Sequence, residues 1–146
     1  MTTQGKSLEE LGRRAVACRH WRWMPGMTIL GSKGRRVVVI GLSGATEATS
    51  GMNSRAIGPD ELPDLSSPAT LGCLLHLVRE AWPDEWSEFM VPIFDGFSHW
   101  RVGCLQLQRL PGTPQVVVPV NQETMKPLAW AYSEAEALVA ALEAAP

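Results

Sequence analysis

Three separate segments of the sequence carry apolar residues at helical spacing, and this pattern limits the possible folds more than any other feature. The clearest segment spans 68–82, where a serine-proline pair marks the start of a helix and Pro83 ends it. Two further segments, 7–20 and 134–145, each open with the serine and glutamate of a capping box. The sequence therefore predicts three amphipathic helices. The predicted apolar stripe of the central helix comprises Leu71, Leu74, Leu75, Val78 and Trp82.

Segments with the composition and alternation of β-strands lie between the predicted helices. Residues 27–30 and 37–40 are typical of a hairpin, and the unbroken apolar run of 37–40 favours a strand that is buried on both faces. The strands of a predicted meander are 89–93, 98–109 and 116–120. The alternation of the second meander strand switches at Gly103, which indicates a bulge or a strand that crosses between two environments.

The elements follow one another in the order α-ββ-α-βββ-α, which predicts an α+β fold in a single domain over 1–146. We expect a mostly antiparallel sheet of about four or five strands, packed against the three amphipathic helices. Residues 1–6 are expected to form a frayed terminus. Residues 41–64 show no periodicity, so we expect a long loop that either binds a partner or is disordered.

The composition excludes several classes of protein. Hydrophobic residues make up 45% of the chain and charged residues 19%, which suits a packed core. No stretch approaches the roughly 20 apolar residues that span a bilayer, and the first residues lack the apolar run of a secretory signal. Three cysteines, Cys18, Cys73 and Cys104, cannot all pair within one chain, which is typical of a reducing compartment. We therefore expect a cytoplasmic protein that makes no contact with a membrane.

Charge is distributed unevenly along the chain. Residues 1–36 carry eight basic side chains and two acidic ones, whereas the remainder carries five basic and thirteen acidic side chains. A basic segment can bind phosphate or the acidic surface of a partner. The alternative is that the two parts of the chain neutralise each other in the folded protein.

The segment after the first helix combines tryptophan with arginine. Trp21 and Trp23 flank Arg22, and Arg19 lies two residues before the first of them. Tryptophan and arginine are frequent in the centres of protein interfaces, and aromatic residues beside basic ones can also stack on unpaired bases. The third alternative is that both indoles lie in the core. We take Arg19, Trp21, Arg22 and Trp23 as the candidate partner-binding residues.

The sequence predicts no catalytic residue and no cofactor, and it offers only a weak metal-binding pattern. Cys73, His76 and Glu80 share one face of the central helix, where they could ligate a metal ion. The alternative is an ordinary solvated helix face. The sequence GLSG at 41–44 lacks the lysine of a phosphate-binding loop. It also differs from a nucleophile elbow, which requires one residue between the serine and the second glycine.

Several of these segments together resemble a known group of proteins. They are the sequence CRHWRW at 18–23, the sequence PDLS at 63–66 before the central helix, the sequence WRVGC at 100–104 and the alanine-rich final helix. In their order and composition they are similar to small phage- or prophage-encoded proteins with an α-β-α sandwich domain. The resemblance implies this fold and the cytoplasm of a bacterial host, and it implies no catalytic residue.

The resemblance favours a function in binding, because many small phage proteins act on host proteins. The first hypothesis is accordingly a non-enzymatic phage or prophage protein that binds a host or phage protein. The alternative is an accessory protein that binds nucleic acid through its basic N-terminal segment. A small metal or thiol site on the central helix is the third hypothesis.

Overall fold

The structure is a computed structural model of the 146-residue chain. It describes residues 7–30, 37–41, 47–50, 53–82, 90–108, 116–119 and 130–146. Within these ranges the chain forms three helices and seven strands, and every strand pair is antiparallel. The predicted α+β class is therefore confirmed. The predicted frayed terminus at 1–6 lies outside the described residues.

The three helices form at the predicted places. They are α1 (Leu8–Ala17), α2 (Pro68–Ala81) and α3 (Glu134–Glu143). The Ser7 hydroxyl accepts the backbone N–H of Glu10 at 3.2 Å, and the Ser133 hydroxyl accepts that of Glu136 at 3.1 Å. Both serines thus cap their helices as the spacing predicts, and the Glu136 carboxylate accepts the backbone N–H of Tyr132 rather than that of Ser133. None of the helices within the described ranges has the length and hydrophobicity that a membrane-spanning segment requires.

The first sheet has the strand order β1-β2-β3-β4. Its strands are β1 (Thr28–Ile29), β2 (Val37–Val39), β3 (Glu47–Ser50) and β4 (Asn53–Ala56). The predicted hairpin is confirmed as β1–β2. Val37 and Val39 are buried but Val38 is only half-buried, so the expectation of a strand buried on both faces is wrong.

The predicted loop at 41–64 is also wrong, because β3 and β4 form a hairpin within it. The sequences of these strands, EATS and NSRA, have no apolar alternation and few residues with high strand propensity. They form strands because β3 pairs with the edge of β2, where Val38 lies opposite Thr49. Backbone pairing across the sheet therefore overrides local propensity here.

The predicted meander forms a second sheet with the order β5-β6-β7. Its strands are β5 (Met90–Phe94), β6 (Trp100–Gln108) and β7 (Val116–Pro119). The strand β6 pairs with β5 as far as Cys104 and with β7 from Leu105 onward. Of the two alternatives raised by the switch at Gly103, the register favours a strand that passes between two environments. The described strands thus form two sheets rather than the single expected one.

The buried residues of the helices and both sheets form one core cluster. Its largest fully buried side chains include Leu11, Met27, Leu65, Leu74, Leu77, Met90, Leu138 and Leu142. On α2 the fully buried positions are Thr70, Leu74, Leu77 and Val78, whereas Leu71 and Leu75 are half-buried. The buried stripe of α2 is therefore rotated from the predicted one, because α2 packs against both α3 and β5.

A buried pair of threonines connects α2 to the first sheet. The Thr70 hydroxyl accepts the backbone N–H of Thr28 at 2.9 Å, and the two hydroxyls lie 3.0 Å apart. Both residues are less than 5% exposed. Their hydrogen bonds satisfy polar groups that would otherwise be costly to bury. This contact fixes the first turn of α2, whose last turns form one wall of the groove described next.

Candidate functional site

The segment that follows α1 is held against the end of α3. The backbone N–H of Trp21 donates to the carbonyl oxygen of Cys18 at 3.0 Å, so the chain turns as soon as α1 ends. The Cys18 thiol lies 3.5 Å from the carbonyl oxygen of Leu142. The Arg19 guanidinium donates to the carbonyl oxygen of Ala145 at 3.2 Å. These contacts hold the segment at the C-terminal end of α3.

An open groove of about 440 Å³ lies between this segment and α2. It is lined by Arg19, His20, Trp21 and Arg22 on one side and by Leu77, Glu80 and Ala81 on the other. We call it the Trp21 groove. Leu77 is 1% exposed, so its lining is apolar where the groove meets the core and charged at the rim.

The rim of the Trp21 groove carries a pair of opposite charges. The Arg22 guanidinium bonds to one carboxylate oxygen of Glu80, and His76 Nε2 lies 3.4 Å from the other. The side chains of Arg22 and Glu80 are 55% and 44% exposed, respectively. An ion pair with this exposure contributes at most about 1 kcal/mol to stability. A charged group of a partner can therefore compete for Arg22 at little cost.

The two indoles of the segment pack on each other. The Trp21 and Trp23 rings meet edge to face, with centroids 5.5 Å apart and an interplanar angle of 79°. Both rings are partly buried against the core cluster. The indole nitrogen of Trp21 is buried and has no hydrogen-bond partner within the part of the chain that the structure describes. Such unpaired donors are uncommon in folded proteins, so hydrogen bonding within the fold does not explain the position of this ring.

The structure brings three of the four candidate binding residues together. The Trp21 groove is lined by Arg19, Trp21 and Arg22. The Trp23 ring packs against the Trp21 ring but is not part of the lining. Sequence reasoning missed the opposite wall, formed by Leu77, Glu80 and Ala81. Their spacing of three and four residues shows that they share a helix face. It does not show which segment that face meets.

Of the candidate metal ligands on α2, His76 and Glu80 lie within 3.4 Å of each other, whereas Cys73 contacts a different part of the chain. The Cys73 thiol points to the carbonyl oxygen of Pro25 at 3.7 Å, and Glu80 bonds to Arg22. Burial raises the pKa of the Cys73 thiol, which disfavours the thiolate that binds metals and acts as a nucleophile. Within the described ranges, no three His, Cys, Asp or Glu side chains form a group that could hold a metal ion. The geometry therefore gives the metal hypothesis no support.

No protein-family model, curated protein or solved structure matches this chain. The phage context implied by the resemblance thus stays a prediction. The function is inferred from the geometry and the charges of the molecule itself.

Proposed function

We propose that the chain is a non-enzymatic binding protein that captures a protein partner in the Trp21 groove. The observation that carries this proposal is the convergence of Trp21, Arg19 and Arg22 on one open groove with the apolar Leu77 at its base. Tryptophan and arginine dominate the binding energy of many interfaces, where a ring fills a pocket and charges surround it. A phage or prophage origin, with a host or phage protein as the partner, belongs to the same proposal.

The groove favours a partner with an apolar side chain beside a carboxylate. The exposed part of the Trp21 ring would contact the apolar group, above the buried Leu77 at the base of the groove. The guanidinium of Arg22 can exchange its bond to Glu80 for a bidentate bond to a carboxylate of the partner. Because Arg22 is already held at the rim, little side-chain entropy is lost when the partner binds.

Nucleic acid fits the Trp21 groove less well. A carboxylate, that of Glu80, lies at the rim of the groove beside Arg22, and it would repel phosphate. The chain has a net charge of −2, which weakens nonspecific attraction to a polyanion. The basic residues Arg14 and Arg22 are paired with acidic residues of the rest of the chain. These observations favour a protein over a nucleic acid.

Affinity capture with matched variants tests this proposal. Tagged wild-type protein is incubated with bacterial lysate, with and without nuclease, and the captured proteins are identified by mass spectrometry. We expect one near-stoichiometric protein that resists nuclease. The Arg22→Ala variant should bind this partner at least about tenfold more weakly in a titration with the purified protein.

The Arg13→Ala variant is the matched control. Arg13 is exposed on α1 and pairs with Glu9, away from the Trp21 groove, so this variant should retain full affinity. Thermal unfolding of both variants checks that the fold is intact. Equal affinities of Arg22→Ala and wild type would refute the groove as the binding site. Capture that disappears after nuclease treatment would support the nucleic-acid alternative instead.

A further inference from the structure

A second surface, remote in sequence from the Trp21 groove, carries exposed aromatic rings. The backbone of Ala131 pairs with that of Trp100 through two hydrogen bonds of 2.7 Å, so 130–132 lies alongside β6 as a further extended segment. Trp130 and Tyr132, on either side of Ala131, are each 48% exposed. Exposed aromatic rings that lie together on one face of a sheet mark a candidate binding surface.

The register places these rings on one face of the second sheet. Trp100 and Val102 point towards the core, so the alternate residues His99 and Arg101 point outward. The Arg101 guanidinium lies over the Trp130 ring, 4.5 Å from its centroid. The His99 ring lies against Tyr132, with centroids 5.2 Å apart.

Two neighbours on β5 and its turn complete the arrangement. Ile93 lies opposite Arg101 in the register, and Asp95 bonds to His99. The outer face therefore carries two rows, which are Ile93, Arg101 and Trp130 in one row and Asp95, His99 and Tyr132 in the other. We call these six residues the aromatic ladder.

Hydrogen bonds fix the Asp95 end of the aromatic ladder before any ligand binds. One oxygen of the Asp95 carboxylate accepts the backbone N–H groups of Phe97, Ser98 and His99 at 2.8 to 3.0 Å. The other oxygen lies 3.0 Å from Nδ1 of His99. The turn and the His99 ring are thus fixed, which lowers the entropy that binding would cost.

We propose that the aromatic ladder binds a proline-rich segment of a protein in the polyproline II conformation. The ladder offers flat apolar rings with hydrogen-bond donors at their edges, the indole N–H of Trp130 and the hydroxyl of Tyr132. A proline-rich segment offers flat rings and backbone carbonyl oxygens, while its prolines have no N–H to satisfy. Aromatic-lined surfaces recognise such segments by this complementarity.

The spacing of the rings suits the same ligand. Residues two apart on an extended strand, such as Trp130 and Tyr132, are separated by about 6.6 Å. Two residues of a polyproline II helix advance by about 6.2 Å. Because this helix has three residues per turn, two residues spaced in this way lie on adjacent edges of the helix, and both edges can rest on the flat face that carries the two rings.

The charges around the ladder disfavour a single-stranded nucleic acid. Besides Asp95, the carboxylate of Glu136 lies next to the ladder, because it accepts the backbone N–H of Tyr132 at 3.1 Å. These two carboxylates would repel phosphate groups, and Arg101 is the ladder's one arginine. A neutral proline-rich segment meets no such repulsion.

The test is a titration of the whole ¹⁵N-labelled protein with decaproline, followed by NMR. The indole N–H signal of Trp130 is identified by its loss in Trp130→Phe. We expect this signal to shift in a saturable manner, whereas a glycine-serine peptide of equal length causes no shift. Trp130→Ala should bind decaproline at least about tenfold more weakly. Tyr132→Phe removes only the hydroxyl donor and should weaken binding by about threefold to tenfold.

The Phe97→Ala variant is the matched control, because Phe97 is 90% exposed at the adjacent turn but is not part of the ladder. It should bind decaproline as the wild type does. If Trp130→Ala fails to fold, Tyr132→Phe decides the question, and its unchanged affinity would overturn the proposal. The proposal is equally refuted if no signal saturates, if the signals of Trp21 and Trp23 shift instead, or if oligothymidine binds more tightly than decaproline.

Discussion

Asp95 shows how one side chain can determine the shape of a turn. The backbone N–H groups of His99, Phe97 and Ser98, together with the His99 side chain, hold the pKa of the Asp95 carboxyl well below its usual range. The sequence predicts a turn at Asp95-Gly96, and Gly96 has the positive φ of 86° that such a turn requires. The sequence does not predict that one carboxylate accepts three backbone donors, because this depends on the path of the whole turn.

This lowered pKa leads to a prediction about stability in acid. A carboxyl group whose pKa is lower in the folded state stabilises the fold above its unfolded pKa, near about 4, and loses this contribution as the pH falls towards the folded value. Asp95→Asn should therefore be less stable than wild type at pH 6, and its unfolding free energy should fall less steeply between about pH 5 and pH 2. Urea unfolding at several pH values measures both effects.

The control for this prediction is Asp60→Asn, which alters a carboxylate in an exposed turn beside α1. This variant should follow the pH dependence of the wild type. An equally steep acid dependence in Asp95→Asn would show that the turn does not depend on the charged carboxylate.

At the scale of secondary-structure elements, the sequence predicts an element well where its signal is local. The helices α1 and α3 begin at capping boxes, and those signals involve residues only three apart. The β3–β4 hairpin is different, because its polar strands depend on pairing with β2. The wall of the Trp21 groove on α2 was missed for the same reason, since contacts between distant segments leave no local pattern.

Two kinds of interaction attach α3 to the rest of the fold, an ion pair with α1 and apolar packing in the core. The Arg14 guanidinium donates to the Glu143 carboxylate at 2.9 Å, and this bond raises the pKa of Arg14. The side chains of this pair are 26% and 37% exposed, whereas Leu142, on the same helix, is fully buried. Water screens the ion pair but has no access to the leucine.

We therefore predict that apolar packing contributes more than the ion pair to the attachment of α3. Leu142→Ala should lower the unfolding free energy by about 2 to 5 kcal/mol, because it leaves a cavity in the core. Arg14→Gln should lower it by at most about 1 kcal/mol. Chemical denaturation of both variants gives the comparison. An equal or larger loss in Arg14→Gln would mean that the ion pair, rather than the core, holds the helix.

At the scale of the whole molecule, the sequence predicts the α+β class but not the division into two sheets. The class follows from periodicities that each segment shows by itself. The division depends on which strands pair, and β6 changes its partner after Cys104 without any interruption of its own backbone. The location of the Trp21 groove has the same origin, because it requires α1, α2 and α3 to pack in one arrangement.

The charge asymmetry of the sequence also finds its explanation at this scale. Arg14 pairs with Glu143 and Arg22 with Glu80, so each pair joins the basic segment 1–36 to the acidic remainder. The interpretation that the two parts of the chain neutralise each other thus accounts for these arginines. A surface for nucleic acid would instead leave its cations unpaired and close together.

This neutralisation predicts how the stability of the molecule depends on salt. Exposed ion pairs are screened as the ionic strength rises. We compare the wild type with the double variant Arg14→Gln/Arg22→Gln. Between about 10 mM and 500 mM sodium chloride, the wild type should lose up to about 1 kcal/mol more unfolding free energy than this variant. The control Arg13→Gln removes a pair that lies within α1, and it should keep most of the salt dependence of the wild type. Urea unfolding at both salt concentrations supplies the values. If the double variant and the wild type respond equally to salt, the attraction between the two parts of the chain does not contribute to folding. The basic segment would then be better explained by an external acidic partner.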